Sequence, residues 1–136
     1  MTLSSNAGAI NVSQCAIKGN SKLDTNGAAI QATQVSLSGT TTLSTNAGNI
    51  TFSGMLDRHS TLVITNNTGV INVTLPADAA FHVDATSSAG TITSEFPSIQ
   101  VTLDISGGEA HGDVGNPPRA TIHIDTNDGQ VHLHKK

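Results

Sequence analysis

The sequence predicts an all-β fold, and within that class a single-stranded, right-handed parallel β-solenoid (β-helix-like) with coils of about 20 residues. Three observations lead there. The first is a repeat. "SSNAGAI", "TNGAAI", "TNAGNI", "NNTGVI", "SSAGTI" and "TNDGQV" begin at Ser5, Thr25, Thr45, Asn66, Ser87 and Thr126. Gly8, Ala28, Gly48, Gly69, Gly90 and Gly129 fill one slot, almost evenly spaced except for the last step, which is nearly two periods long. The second is apolar periodicity. Two and four residues after that slot the side chains are mostly Ile, Val, Leu and Phe, separated by polar residues. Period two marks a strand with one buried face. The third is the absence of any 3.6-residue period over a useful length, which argues against helix.

Each coil can be followed in turn. The first brings in Leu3, turns at Asn6–Gly8 and returns with Ile10 and Val12. The second repeats this as Leu23, Asn26, Ile30 and Ala32, with Gly27 placed to absorb the turn that Ala28 cannot. The third carries Leu43, Asn46, Gly48, Ile50 and Phe52, and the fourth Ile64, Asn67, Gly69, Ile71 and Val73. Pro76 has no N–H to give to a ladder, so it ends the fourth coil. A short corner at 77–80 leads to Phe81, Val83 and Ala85 of the fifth, which continues through Gly90 to Ile92 and Ser94. Residues 107–118, "GGEAHGDVGNPP", break the period and read as an irregular loop. Residues 119–136 form the final coil, with Ile124, Asn127, Gly129, Val131 and Leu133. The whole chain, 1–136, is one domain, its coils stacked in chain order. An antiparallel sandwich also gives short strands at regular spacing, but it does not need one residue type in one slot of every repeat. Stacked in register, the Asn column forms a ladder and the glycines supply positive φ at the corner.

The stretch "TNAGNITFSG…LVITNNTGVINVTLPADAAFHVDATSSAGTITSEFP" resembles the bacterial "putative adhesin" repeat domains, a family largely of unknown function. The features that carry the resemblance are the turns at Gly48-Ile50-Phe52 and Gly69-Ile71-Val73 and the stop at Leu75–Pro76. Phe81-Val83-Ala85, Gly90-Ile92-Ser94-Phe96-Pro97 and the closing "IHIDTNDGQVHLHKK" add to them. It covers about residues 40–136, and coils 1–40 fit more loosely. The resemblance implies a β-solenoid with a surface or adhesive role, and it brings no set of functional residues with it.

Composition narrows the function. Charged residues make up 12 % and the formal net charge is −4, with only six Lys and Arg, so nothing draws the chain to nucleic acid. Phe52, Phe81 and Phe96 are the only aromatic residues of the Phe, Tyr and Trp class, too few for base-stacking platforms. The lone Cys15 excludes an intrachain disulfide and a four-cysteine zinc site, and reads as a small buried or semi-buried apolar side chain. No run reaches the length of a membrane span, and the N-terminus lacks the pattern of a signal peptide. Leu3 begins the first coil with no capping segment before it, which reads as a missing N-terminal region or an end that self-associates.

Three groups of side chains merit attention as chemistry. His123 and Asp125 share a strand face, as do His132 and His134, and imidazoles two apart can hold a transition metal with a third ligand. Glu109, His111 and Asp113 would share a face if extended, an arrangement suited to acid–base work or metal binding. Each also has a plain reading as solvated surface, and no catalytic, cofactor or metal residue is assigned. The other acids are scattered, without the clustered Asp, Lys and Arg of a polysaccharide-cleaving solenoid. The expectation is a non-enzymatic, cofactor-free module, extracellular or at the cell surface. It presents a repetitive Thr/Asn/Ser surface to an unidentified surface or protein partner, with a homo-oligomer formed through the solenoid ends. The alternative is a ligand- or metal-binding sensor domain of a bacterial envelope protein.

Overall fold

The computed structural model describes residues 2–57, 59–76, 80–96, 99–103, 107–114 and 120–135, and all regular structure there is β. The strands are β1 (Thr2–Ser5), β2 (Ile10–Lys18), β3 (Ser21–Thr25), β4 (Ile30–Ser38), β5 (Thr40–Ala47), β6 (Ile50–Leu56), β7 (Thr61–Leu75), β8 (Phe81–Ser87), β9 (Ile92–Ser94), β10 (Ile99–Leu103), β11 (Gly108–Val114) and β12 (Ala120–Lys135). They form an open sheet whose main path runs β1-β3-β5-β7-β12-β8-β11-β10.

The sequence columns become physical ladders. Leu3 pairs in register with Leu23, Leu23 with Leu43 and Leu43 with Ile64, all through parallel strands. The returning flank β2-β4-β6-β7 aligns Ile10, Ile30, Ile50 and Ile71 in the same way. Leu23, Leu43, Ile64, Ile30, Ile50 and Ile71 are fully buried. Burial of such side chains contributes roughly 1.5–3 kcal/mol each relative to exposure. The stack is therefore held along its axis by backbone pairing and across it by one apolar core.

The first three coils have further corners beyond the Asn–Gly turn. Gln14 and Gln34 sit at left-handed φ of 51° and 54°, and the Gln14 carboxamide donates to Gln34 Oε1 at 3.1 Å. Gly19, Gly39 and His59 take left-handed φ at the next corner. The third coil is one residue short at the Gln corner, so the register against β4 shifts between Thr33 and Val35. Pairing of β6 with β7 stops at Ser53, and Met55 beyond it is 61 % exposed.

Several expectations change. The sheet is mixed, because β11 pairs antiparallel with both β8 and β10. The coils do not stack in chain order: β12, the final coil, lies between β7 and β8, parallel to both. Its register with β7 runs from Thr121 against Thr61 to Lys135 against Leu75, matching Ile124 to Ile64 and Val131 to Ile71. Coil five offers only the shorter β8 and β9, so β7 takes the longer partner. Residues 108–114, expected as irregular loop, are β11, with Gly108 and Ala110 buried and the acids and histidine outward. Residues 115–118 of that segment, and 77–79 of the expected corner, lie outside the described residues.

The corner glycines also act differently from expectation. Only Gly69 among them has a left-handed φ, at 131°. What Gly48, Gly69, Gly90 and Gly129 share is close approach to a neighbouring backbone, whereas Gly8, in the first coil, has none. A Cβ on Gly48 would lie 2.3 Å from the Ala28 carbonyl oxygen. On Gly129 it would lie 1.9 Å from that of Gly69, and on Gly90 1.7 Å from that of Gly129. The column is glycine because backbone stacks on backbone there. Cys15, expected to be buried or semi-buried, is exposed on β2.

Candidate functional site

Two surfaces gather polar side chains. The first is a groove along the Asn corner. Its floor is the predicted ladder: Asn26 donates to Asn6 and Asn46 to Asn26 at 3.3 Å. Asn67 then donates to Asn46, and Asn127 to Asn67, at 3.1 Å. Ser88 takes the slot in coil five, at the far end of this ladder. Just inside it, short side chains tie neighbouring coils to the corner backbone. Thr45 donates to the Ala28 carbonyl at 3.0 Å, Asn66 to that of Gly48 at 3.1 Å and Ser87 to that of Gly129 at 3.2 Å. Outside the ladder Ser4, Asp24, Ser44, Thr65 and Asp125 form a parallel rank, and the groove encloses about 710 Å³. Stacking brings this polar row to one place because the strand period turns every second side chain outward.

The second surface is the outer face of β12, β8 and β11. In one row His123, Asp84 and His111 lie side by side in register. The row before it holds Thr121, His82 and Asp113, and the row after it Asp125, Thr86 and Glu109. The His82 and Asp113 side chains are paired. His111 Nδ1 lies 3.3 Å from Asp84 Oδ1, and His111 Nε2 lies 3.8 Å from Glu109 Oε2. Thr86 donates to Asp125 at 3.2 Å. Two groups that the sequence singled out, Glu109/His111/Asp113 and His123/Asp125, thus meet on one face through β8. His82 and Asp84, which complete it, carried no signal of their own, because only the position of β8 between β12 and β11 reveals them.

The third sequence group stays apart. His132 and His134 follow on β12, with ring centroids 6.0 Å apart and planes 26° from parallel. His132 is engaged at both nitrogens, by Thr93 Oγ1 at 2.6 Å and Gln130 Oε1 at 3.3 Å, and His134 Nδ1 lies 3.4 Å from Glu95. The Lys135 backbone N–H donates to Glu95 Oε1 at 2.8 Å, which holds that carboxyl below its ordinary range, with help from His134. Among the described residues no three His, Cys, Asp or Glu side chains converge on a point that could hold a metal ion. No helix among them is long and apolar enough to cross a membrane.

The fold is similar to that of a "putative cell adhesion protein" from Clostridium sporogenes, with a TM-score of 0.62. The two chains are 10 % identical, and the match covers 99 % of this chain and 92 % of the other, a likeness of fold. No curated protein matches the sequence. The family profile described as Toastrack DUF4097 matches residues 1–134, so the chain belongs to the Toastrack DUF4097 family.

Proposed function

We propose that this chain is a non-enzymatic, adhesin-like module, displayed at or outside the bacterial cell surface, that presents a repetitive Asn/Ser/Thr groove to an extended partner surface. The observation that carries this reading is the Asn ladder with its outer rank of hydroxyl and carboxylate groups, repeated at strand spacing along one groove. Each rung offers weak polar contacts, and repetition along the axis turns weak contacts into avidity. The cell-adhesion description of the structural neighbour agrees with it. In this reading the β1-β3-β5-β7 ladder is a right-handed parallel β-solenoid, supported by the parallel register between equivalent residues of successive coils. A non-catalytic role is supported by the open setting of the imidazole–carboxylate pairs, which lie on an exposed sheet face rather than in a cleft. Self-association is part of the proposal. Among the described residues β1 and β2 have a strand partner on one side only, and Leu3 is 38 % exposed there.

Beads coated with the chain and held under flow on bacterial or host-cell surfaces test this. Removing rungs one at a time, as Asn46→Ala and then Asn46→Ala/Asn67→Ala, should lower retention in steps. Retention no better than that of beads coated with an inert protein would overturn the adhesive reading. Abolition by a single rung would replace it with a discrete site. Sedimentation that stays monomeric at high concentration would remove the self-association.

A further inference from the structure

We propose that Asn26 is a site of spontaneous deamidation, a covalent modification that releases the first coil from the stack. The proposal goes beyond the adhesive reading and does not depend on it. The ladder asparagines Asn6, Asn26, Asn46, Asn67 and Asn127 are followed by Ala7, Gly27, Ala47, Thr68 and Asp128. Asn26–Gly27 is the one Asn–Gly pair of the chain. The missing side chain matters because the nucleophile is the next residue's backbone nitrogen, which has to approach the carboxamide carbon closely. Once the Gly27 nitrogen has given its proton to hydroxide, it attacks Asn26 Cγ. The new C–N bond closes a five-membered imide, and the carboxamide C–N bond breaks and releases ammonia. Water then opens the ring at one of its two carbonyls. Opening at the side-chain carbonyl leaves aspartate at position 26. Opening at the backbone carbonyl leaves isoaspartate, with the main chain running through Cβ and Cγ.

Asn26 and Gly27 are both exposed. Packing does not require glycine at position 27: its φ is not left-handed, and a Cβ there would meet only the Asn6 carbonyl oxygen, at 4.0 Å. What restrains the reaction is the neighbouring coil. The Gly27 N–H donates to the Asn6 carbonyl at 3.2 Å and the Asn26 N–H to that of Ser5 at 3.1 Å, while the Asn26 carboxamide donates to Asn6 Oδ1 at 3.3 Å. All three acceptors belong to coil one, whose strands have a partner on one side only among the described residues. An end rung opens more readily than an inner one, and its opening frees nucleophile and carboxamide together. Asn46 still donates to Asn26 Oδ1 at 3.3 Å, a bond that draws electrons from the carbon under attack. Asp128–Gly129 can close the same imide with loss of water, but Gly129 is pressed between the Gly69 and Gly90 backbones and is held shut. The product at position 26 undoes the docking of coil one. A carboxylate has no N–H to give to Asn6. Isoaspartate also adds a main-chain atom between the two N–H groups that bond Ser5 and Asn6, so they lose strand register.

Prolonged incubation of the whole chain at mildly alkaline pH, followed by peptide mapping with mass spectrometry, tests the proposal. Asn26 should be the first asparagine to convert, with isoaspartate among the products and ammonia released in equal amount. Gly27→Ala should slow the conversion several-fold while far-UV circular dichroism and the melting curve stay unchanged. Asn26→Gln keeps the amide but needs a larger ring, and should not convert over the same period. The converted chain should lose amide-exchange protection in residues 2–18 and keep it in residues 120–135. The proposal is overturned if other asparagines convert before Asn26, if no isoaspartate forms, if Gly27→Ala or Asn26→Gln converts as fast as the unsubstituted chain, or if residues 2–18 stay protected after conversion.

Discussion

The first three coils and the rest of the molecule meet the same packing requirement in different ways. In coils one to three strands pair in parallel with their equivalents in the next coil, and in the first two the corners at Asn, Gln and Gly recur in step. From β7 onward the chain leaves that order. It lays down β8, adds the antiparallel pair β10 and β11 beyond it, and then returns as β12 between β7 and β8. The difference teaches that identical columns make rungs interchangeable. Any coil with Ile or Val in the two inward slots fits on any other, so the length of matched register decides the neighbour. It also makes the two halves unequal: β1 and β2 are removable ends, whereas β12 holds β7 and β8 together.

Truncation exposes that inequality most strongly. Deleting residues 120–136 strips β7 and β8 of their shared partner and opens the core at Ile122, Ile124, Val131 and Leu133. We expect the loss of the whole folding stability, typically of order 5–15 kcal/mol. Deleting residues 2–20 removes only the outermost rung and should leave a folded chain with a smaller urea m-value. Comparable unfolding curves for the two deletions would show that β12 is no more central than β1.

A smaller effect separates the two ends of the core. Phe81 is fully buried on β8 and meets Phe96 edge to face, with centroids 5.1 Å apart. Phe81→Ala should cost about 3–5 kcal/mol by urea denaturation. Leu3→Ala, at the half-open first rung, should cost under about 1 kcal/mol. Equal losses would mean that the first coil is packed as tightly as the fifth.

The glycine column sharpens the contrast. A methyl on Gly129 would press on the Gly69 carbonyl oxygen at 1.9 Å, whereas on Gly8 it meets only the Ser5 hydroxyl at 3.2 Å. Gly129→Ala should cost about 1–3 kcal/mol, and Gly8→Ala only a few tenths. Thermal melts of the two would settle whether close approach, rather than φ, fixes this slot.

The buried columns were legible in the sequence because period two and a fixed slot report directly on which side chains face inward. Ile10, Ile30, Ile50, Ile71, Ile92 and Val131 are all buried as the spacing predicts. The order of the coils was not, since every coil carries the same columns. The double-length step before Gly129 was the one mark of the insertion, and it is equally consistent with a loop. β11 was hidden for another reason. "GEAHGDV" has almost no β-forming residues, and it is a strand because β8 and β10 pair with it on both sides. The same gap hid half of the histidine–carboxylate face. His111 and His123 belong to separate strands, and Asp84, far earlier in the chain, lies between them only once β8 has been placed.

The Asn ladder gives the smallest and most specific comparison. Asn67 sits at mid-stack, donating to Asn46 and accepting from Asn127, both at 3.1 Å. Asn6 ends the ladder and is joined to it by the single bond from Asn26 at 3.3 Å. Asn67→Ala removes two such bonds and leaves the Asn46 oxygen and an Asn127 N–H to water. These groups are exposed, so the loss is limited to about 1 kcal/mol. Asn6→Ala should cost no more than about half of that. Asn67→Asp keeps the acceptor and loses the donor, so it should fall between the two. If Asn6→Ala were as costly as Asn67→Ala, each Asn would be acting through its own corner, and the ladder would be a by-product of stacking rather than a source of stability.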